Sequence, residues 1–150
     1  MYRILFVCHG NICRSTCAQM VFSDLVAKEA LSNDFFIDSA ATSTEEIGNP
    51  IYPPMAQTLK SHNIPLIAHQ ARQLSRSDYE CFDYIIGMDS ENLYYMRRIL
   101  GEDLEHKIHL LMEYTQTPQA LIEDPWYTRD FEKAYIDILA GCRGLLAHLR

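Results

Sequence analysis

Residues 3–15 read RILFVCHGNICRS, a short apolar run that continues directly into a polar loop. The run from Arg3 to Val7 predicts a short strand, and its almost wholly apolar character is typical of a strand covered on both faces. Thr16 and Gln19 form a capping-box pattern, which predicts that a helix begins near Thr16. Apolar side chains then recur at helical spacing, at Ala18, Val21, Phe22 and Leu25. The chain therefore opens with a strand, a loop and a helix, which is typical of an α/β fold.

Strands and helices alternate along the rest of the chain. Further strands are predicted at residues 35–37, 84–86 and 108–111, and further helices around residues 55–59, over residues 92–100 and from near Thr128 onward. Gly141 and Gly144 lie inside the last helix and predict either close packing or a break there. The alternation predicts one domain over residues 1–150. Its expected architecture is a three-layer αβα sandwich, with a twisted, four-stranded parallel sheet that carries helices on both faces.

Composition excludes several classes of partner. The chain has 150 residues and a formal net charge of -7, which disfavours nucleic acid and anionic lipid. No apolar run approaches the ~18 residues that a transmembrane helix needs, and the N-terminal apolar run is too short for a signal peptide. The five cysteines show no disulfide-framework spacing. We therefore expect a cytoplasmic protein with reduced thiols, without nucleic-acid partners or membrane insertion.

The loop of residues 8–15, here called the cysteine loop, has the features of an anion site. It joins a strand to a helix N-terminus, where backbone N–H groups and the helix dipole attract negative charge. Gly10 and Asn11 tolerate the positive φ that a tight loop needs, and Arg14 offers a planar fork for two phosphate oxygens. Cys8 lies at its base, where thiols readily ionise, and is expected to act as a nucleophile. A buried cysteine and an arginine paired with a carboxylate are the plainer alternative, which the flanking strand and helix disfavour.

Five ordered motifs resemble the low-molecular-weight protein tyrosine phosphatase family over nearly the whole chain. The cysteine loop matches the family pattern C-x-x-N-x-C-R-S. The other four are DSA at residues 38–40, HQARQ at 69–73, FDYI with MD at 82–89, and DPWY at 124–127. The resemblance implies hydrolysis of protein phosphotyrosine through a phosphocysteine intermediate, without a metal or other cofactor. It also implies phosphotyrosine-containing proteins as partners, and a monomer or weak homodimer.

The resemblance also implies a role for each matching residue. Cys8 would be the nucleophile, Arg14 would stabilise the transferred phosphoryl group, and Asp124 would be the general acid. Ser39 and His69 would hold Asn11 in a left-handed conformation. Trp126 and Tyr127 would line the cleft, although the alternative that they are core aromatics stays open. The remaining residues expected to bind phosphate are His9, Gly10, Ile12, Cys13 and Ser15, and Cys13 would also pair with Cys8 on oxidation.

Three positions depart from the family pattern. His9 replaces a common apolar residue, Thr16 replaces a common proline, and Glu45 replaces an aromatic residue that many members carry on the cleft rim. Because all motif residues are present, these departures concern substrate preference and leave the chemistry intact. Glu45 is expected to disfavour acidic phosphopeptides.

Three alternative functions stay open at this point. A protein-arginine phosphatase resembles this loop but carries Thr where this chain has Ile12, and apolar bulk there suits an aromatic ring better. An arsenate reductase on the same fold needs two further redox cysteines, of which only Cys81 is near the third strand. A phosphotyrosine-binding module without catalysis is disfavoured because Cys8, Arg14 and Asp124 are all intact.

Overall fold

The computed structural model describes residues 1–150 and contains four strands and six α-helices. The strands are β1 (Tyr2–Cys8), β2 (Phe35–Ala41), β3 (Tyr84–Gly87) and β4 (Ile108–Leu110). The helices are α1 (Arg14–Lys28), α2 (Pro53–Ser61), α3 (Asp78–Cys81), α4 (Ser90–Leu100), α5 (Pro125–Thr128) and α6 (Phe131–Leu149). Two 3₁₀ turns, Ser32–Asp34 and Leu111–Tyr114, precede β2 and follow β4.

The four strands form one parallel sheet in the order β2-β1-β3-β4. Ile4 of β1 is in register with Ile37 of β2 on one side and Tyr84 of β3 on the other. The structure confirms the predicted α/β class with a four-stranded parallel sheet. The predicted strand positions are also correct, although β2 continues to Ala41 and Leu111 belongs to a 3₁₀ turn instead of β4.

Side chains of β1 alternate between two separate cores, one on each face of the sheet. Ile4 and Phe6 are fully buried in the larger core, which also contains the buried faces of α1 and α6. Leu5 and Val7 are fully buried in the smaller core, which α4 covers. A strand buried on both faces needs apolar residues at every position, which explains the unbroken run that the sequence shows.

Three predicted helix starts are wrong by two or three residues, one of them that of α4, which begins at Ser90 instead of Asn92. The first helix begins at Arg14 with Cys13 as N-cap, and Thr16 donates its hydroxyl to the Cys13 carbonyl oxygen at 2.9 Å instead of capping the helix. The last helix begins at Phe131, where the Asp130 side chain accepts the Lys133 N–H at 2.9 Å. Thr128 instead ends the separate short helix α5.

Gly141 and Gly144 allow close packing without breaking α6, so the first of the two predicted alternatives is correct. A Cβ at Gly144 would overlap the carbonyl oxygen of Tyr114, and a Cβ at Gly141 would overlap the side chain of Leu111. The helix therefore lies directly against the 3₁₀ turn that follows β4, which requires glycine at both positions.

The order of the strands places a binding site at the end of β1. In open parallel sheets, ligands bind beyond the carboxyl ends of the strands, where the strand order reverses direction. Here the chain moves from β1 outward to β2, and then back across β1 to β3. The cysteine loop leaves β1 at this point. No helix in the fold combines the length and hydropathy that crossing a bilayer requires.

Candidate active site

The cysteine loop runs from the end of β1 into the first turn of α1, as its sequence predicts. Its backbone is tied to its neighbours on both sides. The Cys8 carbonyl oxygen accepts the Thr42 N–H at 2.9 Å, and the Ile12 carbonyl oxygen accepts the Tyr52 N–H at 2.8 Å. Its conformation is therefore fixed before any ligand binds.

The sulfur of Cys8 is surrounded by donors from the start of α1. The Ser15 backbone N–H points at Cys8 Sγ at 3.4 Å, and Ser15 Oγ lies 3.0 Å from the same sulfur. Asn11 donates its side-chain amide to Ser15 Oγ at 2.7 Å. Because Ser15 Oγ accepts that bond, its own proton is free to point at the sulfur. The backbone N–H and the hydroxyl of Ser15 thus both face the Cys8 sulfur at the N-terminus of α1.

Asn11 connects the cysteine loop to two other segments of the chain. It is fully buried and has a φ of 60°, in the left-handed region. Its amide nitrogen also donates to Ser39 Oγ at 2.9 Å, while its Oδ1 accepts from His69 Nε2 at 2.8 Å and from the Arg72 N–H at 3.2 Å. The structure thus brings together Asn11, Ser39 and His69, which the family resemblance had placed in contact.

His69 is held in its neutral form by its surroundings. Burial lowers the pKa of His69, and the nearby Asp38 carboxylate opposes this effect only in part. Asp38 Oδ1 lies 3.8 Å from His69 Nδ1. A neutral imidazole whose Nε2 carries the proton can donate to Asn11, which is the arrangement that the Asn11 contacts require.

Arg14 is almost completely buried, with 2% of its surface exposed. Its Nη1 donates to Asp89 Oδ2 at 2.7 Å and to the Ile122 carbonyl oxygen at 2.9 Å, and its Nη2 lies 3.4 Å from Asp124 Oδ2. Burial alone would lower the pKa of Arg14, but the neighbouring Cys8, Asp89 and Asp124 together raise it. The guanidinium therefore stays charged and fixed in direction beside the cysteine loop.

Asp124 begins a short segment, residues 124–128, here called the acid segment. Its Oδ1 accepts the Trp126 N–H at 3.0 Å and so caps α5, whose first residue is Pro125. Its other oxygen faces Arg14 across the cleft. The carboxyl group is therefore presented to the same space as the Cys8 sulfur, although the two residues are far apart in the sequence.

One cleft contains most of the predicted residues. It is lined by Cys8, His9, Gly10, Ile12, Cys13, Arg14, Glu45, Glu46, Asp124, Trp126 and Tyr127. Trp126 is 45% exposed and Tyr127 is 79% exposed, so the alternative that they are core aromatics is wrong. At the rim, His9 Nε2 lies 3.0 Å from Glu45 Oε2, and His9 Nδ1 lies 3.9 Å from Glu91 Oε1. Two of the three departures from the family pattern thus contact each other.

Comparison with known proteins places the whole chain in one family. The family model for "Low molecular weight phosphotyrosine protein phosphatase" matches residues 3–150. The chain belongs to the low-molecular-weight phosphotyrosine protein phosphatase family. A relative of that name from Gallus gallus is 44% identical over 147 residues, which cover 95% of this chain and 92% of the relative. The predicted family is therefore confirmed.

Solved structures show the same fold. The crystal structure of YfkJ from Bacillus subtilis superimposes with a TM-score of 0.95 at 39% identity, and covers 99% of this chain and 94% of that one. The crystal structure of a drosophila arginine phosphatase has a TM-score of 0.87 at 34% identity, and covers 98% of this chain and 97% of that one. The Bacillus subtilis relative YfkJ is named a low molecular weight protein-tyrosine-phosphatase, so chains described as tyrosine and as arginine phosphatases share this architecture.

The five cysteines of this phosphatase-family chain are all free. Burial raises the pKa of Cys13, with a further contribution from Cys8, and burial also raises the pKa values of Cys17 and Cys142. Cys81 is exposed at the end of α3. No cysteine follows it on β3, so the second redox cysteine that an arsenate reductase would need is missing. No three His, Cys, Asp or Glu side chains come together in a way that could hold a metal ion.

Sequence reasoning did not identify several residues that the structure adds to this site. Asp89 was noted only as part of a motif, yet it accepts a hydrogen bond from Arg14 across 75 residues of chain. The Ile122 carbonyl oxygen supports the same guanidinium. Arg72 was likewise noted only in a motif, and its backbone N–H holds Asn11. Tyr52 had no assigned role and contacts both Ile12 and Trp126.

Proposed function

We propose that the protein hydrolyses the phosphate ester of protein phosphotyrosine, with Cys8 as nucleophile. The observation that carries this proposal is the position of the Cys8 sulfur. It lies at the base of a loop whose Ser15 N–H and hydroxyl reach it at 3.4 Å and 3.0 Å. The buried Arg14 lies beside it, and Asp124 faces the same cleft. A nucleophile, a fixed positive charge and an acid are the three groups that the reaction requires.

In the first step the Cys8 thiolate attacks phosphorus. A sulfur–phosphorus bond forms, the bond from phosphorus to the phenolic oxygen breaks, and the electron pair leaves with that oxygen. Asp124, in its protonated form, donates a proton to the leaving oxygen. Arg14 and the loop N–H groups stabilise the charge on the equatorial phosphate oxygens, which is the largest contribution in phosphoryl transfer.

In the second step water releases the phosphate from the phosphocysteine. Asp124, now ionised, takes a proton from the attacking water, an oxygen–phosphorus bond forms, and the sulfur–phosphorus bond breaks. The sulfur leaves as a thiolate, which the Ser15 hydroxyl stabilises by donating its proton in a hydrogen bond. Asn11 keeps that hydroxyl directed at the sulfur because it donates to the same oxygen.

A phosphotyrosine side chain fits the walls of this cleft better than a phosphoarginine. Ile12 and the half-exposed Trp126 line the cleft and offer apolar surface to an aromatic ring. The 34% identity to a drosophila arginine phosphatase makes phosphoarginine the competing substrate to be tested. The Glu45 hypothesis stays a prediction: substitution by alanine should raise activity on acidic phosphopeptides relative to basic ones.

Location and assembly belong to the same proposal. We place the protein in the cytoplasm, because all five cysteines are free and four of them lie buried in the core. Its partners would be phosphotyrosine-containing proteins, and it would act as a monomer or a weak homodimer, without nucleic acid.

Turnover of three phosphate compounds tests this function. The wild-type protein should hydrolyse p-nitrophenyl phosphate and a phosphotyrosine peptide, and should act on a phosphoarginine peptide of the same sequence at least tenfold more slowly. Cys8→Ser should abolish turnover but still bind inorganic phosphate, as measured by calorimetry. Faster turnover of phosphoarginine would overturn the substrate assignment, and residual activity in Cys8→Ser would overturn the nucleophile.

A further inference from the structure

Arg129, which follows the acid segment, has contacts that the reaction scheme above does not use. It has a φ of 60° and ends α5 through its backbone N–H, which donates to the Pro125 carbonyl oxygen at 2.8 Å. Its side chain forms no ion pair within 4.0 Å, although the protein carries an excess of acidic residues. The direction of this side chain is therefore set by other contacts.

Those contacts are aromatic. The Arg129 guanidinium carbon lies 5.5 Å from the centre of the Tyr52 ring and 5.3 Å from the centre of the Phe131 ring. Its Nη2 also donates to the Tyr52 hydroxyl oxygen at 3.2 Å. The two distances from the guanidinium to the ring centres are within the range of a cation–π interaction. Arg129 is thus held between a ring from the loop before α2 and a ring at the start of α6.

Tyr52 connects this cluster to the cysteine loop. Its backbone N–H donates to the Ile12 carbonyl oxygen at 2.8 Å, and its ring centre lies 4.9 Å from that of Trp126. The acid segment is therefore tied to the cysteine loop through one tyrosine, which contacts Trp126 inside the segment and Arg129 directly after it. The Asp124 carboxyl group has only two polar contacts, with the Trp126 N–H and with Arg14.

We propose that Arg129 and Tyr52 are positioning residues that set the distance between the Asp124 carboxyl and the Cys8 sulfur. This inference rests on the proposed function, in which Asp124 protonates the leaving oxygen. Proton transfer requires the donor and the acceptor oxygen to come within hydrogen-bond distance. The side-chain contacts of Tyr52 and Arg129 hold the acid segment where the Asp124 carboxyl can reach the leaving oxygen. The groups that act in the attack itself, Cys8 and Arg14, belong to the cysteine loop.

The dependence of turnover on the leaving group separates this role from general damage to the fold. A poor leaving group such as phenol needs the proton from Asp124, whereas 2,4-dinitrophenol leaves without it. Arg129→Ala should lower kcat/KM on phenyl phosphate, which reports the first step alone, by about tenfold, a fraction of the ~10²–10⁴-fold that a general acid contributes. The same variant should change kcat/KM on 2,4-dinitrophenyl phosphate less than about twofold and leave inhibition by inorganic phosphate unchanged.

The chain contains a closely matched control. The Arg98 guanidinium lies 5.6 Å from the centre of the Tyr94 ring and donates to its hydroxyl at 3.0 Å, on α4 and outside the cleft. Arg98→Ala removes the same kind of contact and should leave both substrates unaffected. Tyr52→Phe keeps the ring but loses the hydroxyl, and should show a smaller, leaving-group-dependent loss than Arg129→Ala. Arg129→Lys should recover part of the activity on phenyl phosphate.

The outcomes distinguish this inference from the proposed function. Equal losses on both substrates in Arg129→Ala, or a loss that also weakens phosphate inhibition, would overturn the positioning role. A loss in Arg98→Ala as large as that in Arg129→Ala would overturn it as well. Absence of turnover in the wild-type protein would instead overturn the proposed function itself.

Discussion

The cysteine loop and the acid segment face each other across one cleft, yet they are built in opposite ways. Asn11, Arg14 and Ser15 in the loop are at most 2% exposed, and no buried side-chain polar atom in the protein lacks a hydrogen-bond partner. In the acid segment, Trp126 is 45% exposed and Tyr127 is 79% exposed. The loop is part of the core, whereas the segment lies on the surface.

This difference in burial matches the functions of the two regions, which are charge stabilisation by the cysteine loop and proton donation by the acid segment. Charge on a phosphoryl group is stabilised best by donors that are already fixed, since then no reorganisation is needed during the reaction. A proton donor must instead lie where a large substrate can enter and where a phenol can leave. The comparison predicts that changes in the loop affect stability and activity together, while changes in the acid segment affect activity alone.

The largest effect is expected for Asp124→Asn. Asparagine keeps the N-cap to Trp126 but cannot donate a proton as an acid. We expect kcat/KM on phenolic phosphate esters, which reports the first step, to fall by ~10²–10⁴-fold, with a smaller loss for better leaving groups. Urea unfolding should show a free energy within about 0.5 kcal/mol of the wild-type value. Loss of the same size on every leaving group would show that Asp124 does not act as the acid.

The next largest effect is expected on the free energy of unfolding, where one substitution in the cysteine loop is compared with one in the acid segment. Asn11→Ala removes the partner of Ser15, Ser39 and His69 and leaves buried polar groups unpaired, which should cost roughly 1–3 kcal/mol. Tyr127→Ala, at an exposed position, should cost less than about 0.5 kcal/mol. Chemical denaturation of both variants measures this. Similar destabilisation by the two changes would remove the contrast between core loop and surface segment.

The smallest effect is on the pH dependence of stability. Burial lowers the pKa of His69 in the folded protein, so the unfolded chain binds the proton first as the pH falls through about 6.5. The stabilising contribution of neutral His69 is therefore present above that pH and is lost below it. Unfolding free energies at about pH 7.5 and 5.5 should fall more steeply in the wild-type protein than in His69→Gln. A steeper fall in the variant would contradict the neutral state of His69.

The accuracy of prediction from the sequence also differs between the cysteine loop and the acid segment. The cysteine loop is contiguous, so its chemistry, its strand and its helix could be predicted from residues 8–15 and their neighbours. The start of α1 was misplaced because Thr16 resembles a cap, whereas the tight loop lets the helix begin at Arg14. Asp89 was missed because it contacts Arg14 only through the fold, across 75 residues.

The residues that hold the acid segment, Tyr52 and Arg129, could not be predicted from the sequence. Asp124 was found through a motif, but the contact between Arg129 and Tyr52 spans 77 residues and matches no motif. Neither a buried network nor a surface cluster leaves a periodic pattern in the sequence. Such residues become visible only when the strands and helices are placed in space.

The proposed mechanism depends on the nucleophilicity of the Cys8 sulfur, and alkylation by iodoacetate measures this property most directly. At about pH 6 a free thiol is largely protonated, since its ordinary pKa is near 8.5. We predict that iodoacetate modifies Cys8 many times faster than the exposed Cys81 and than glutathione, and that inorganic phosphate protects Cys8. Modification of Cys8 no faster than that of glutathione would contradict the thiolate and, with it, the proposed mechanism.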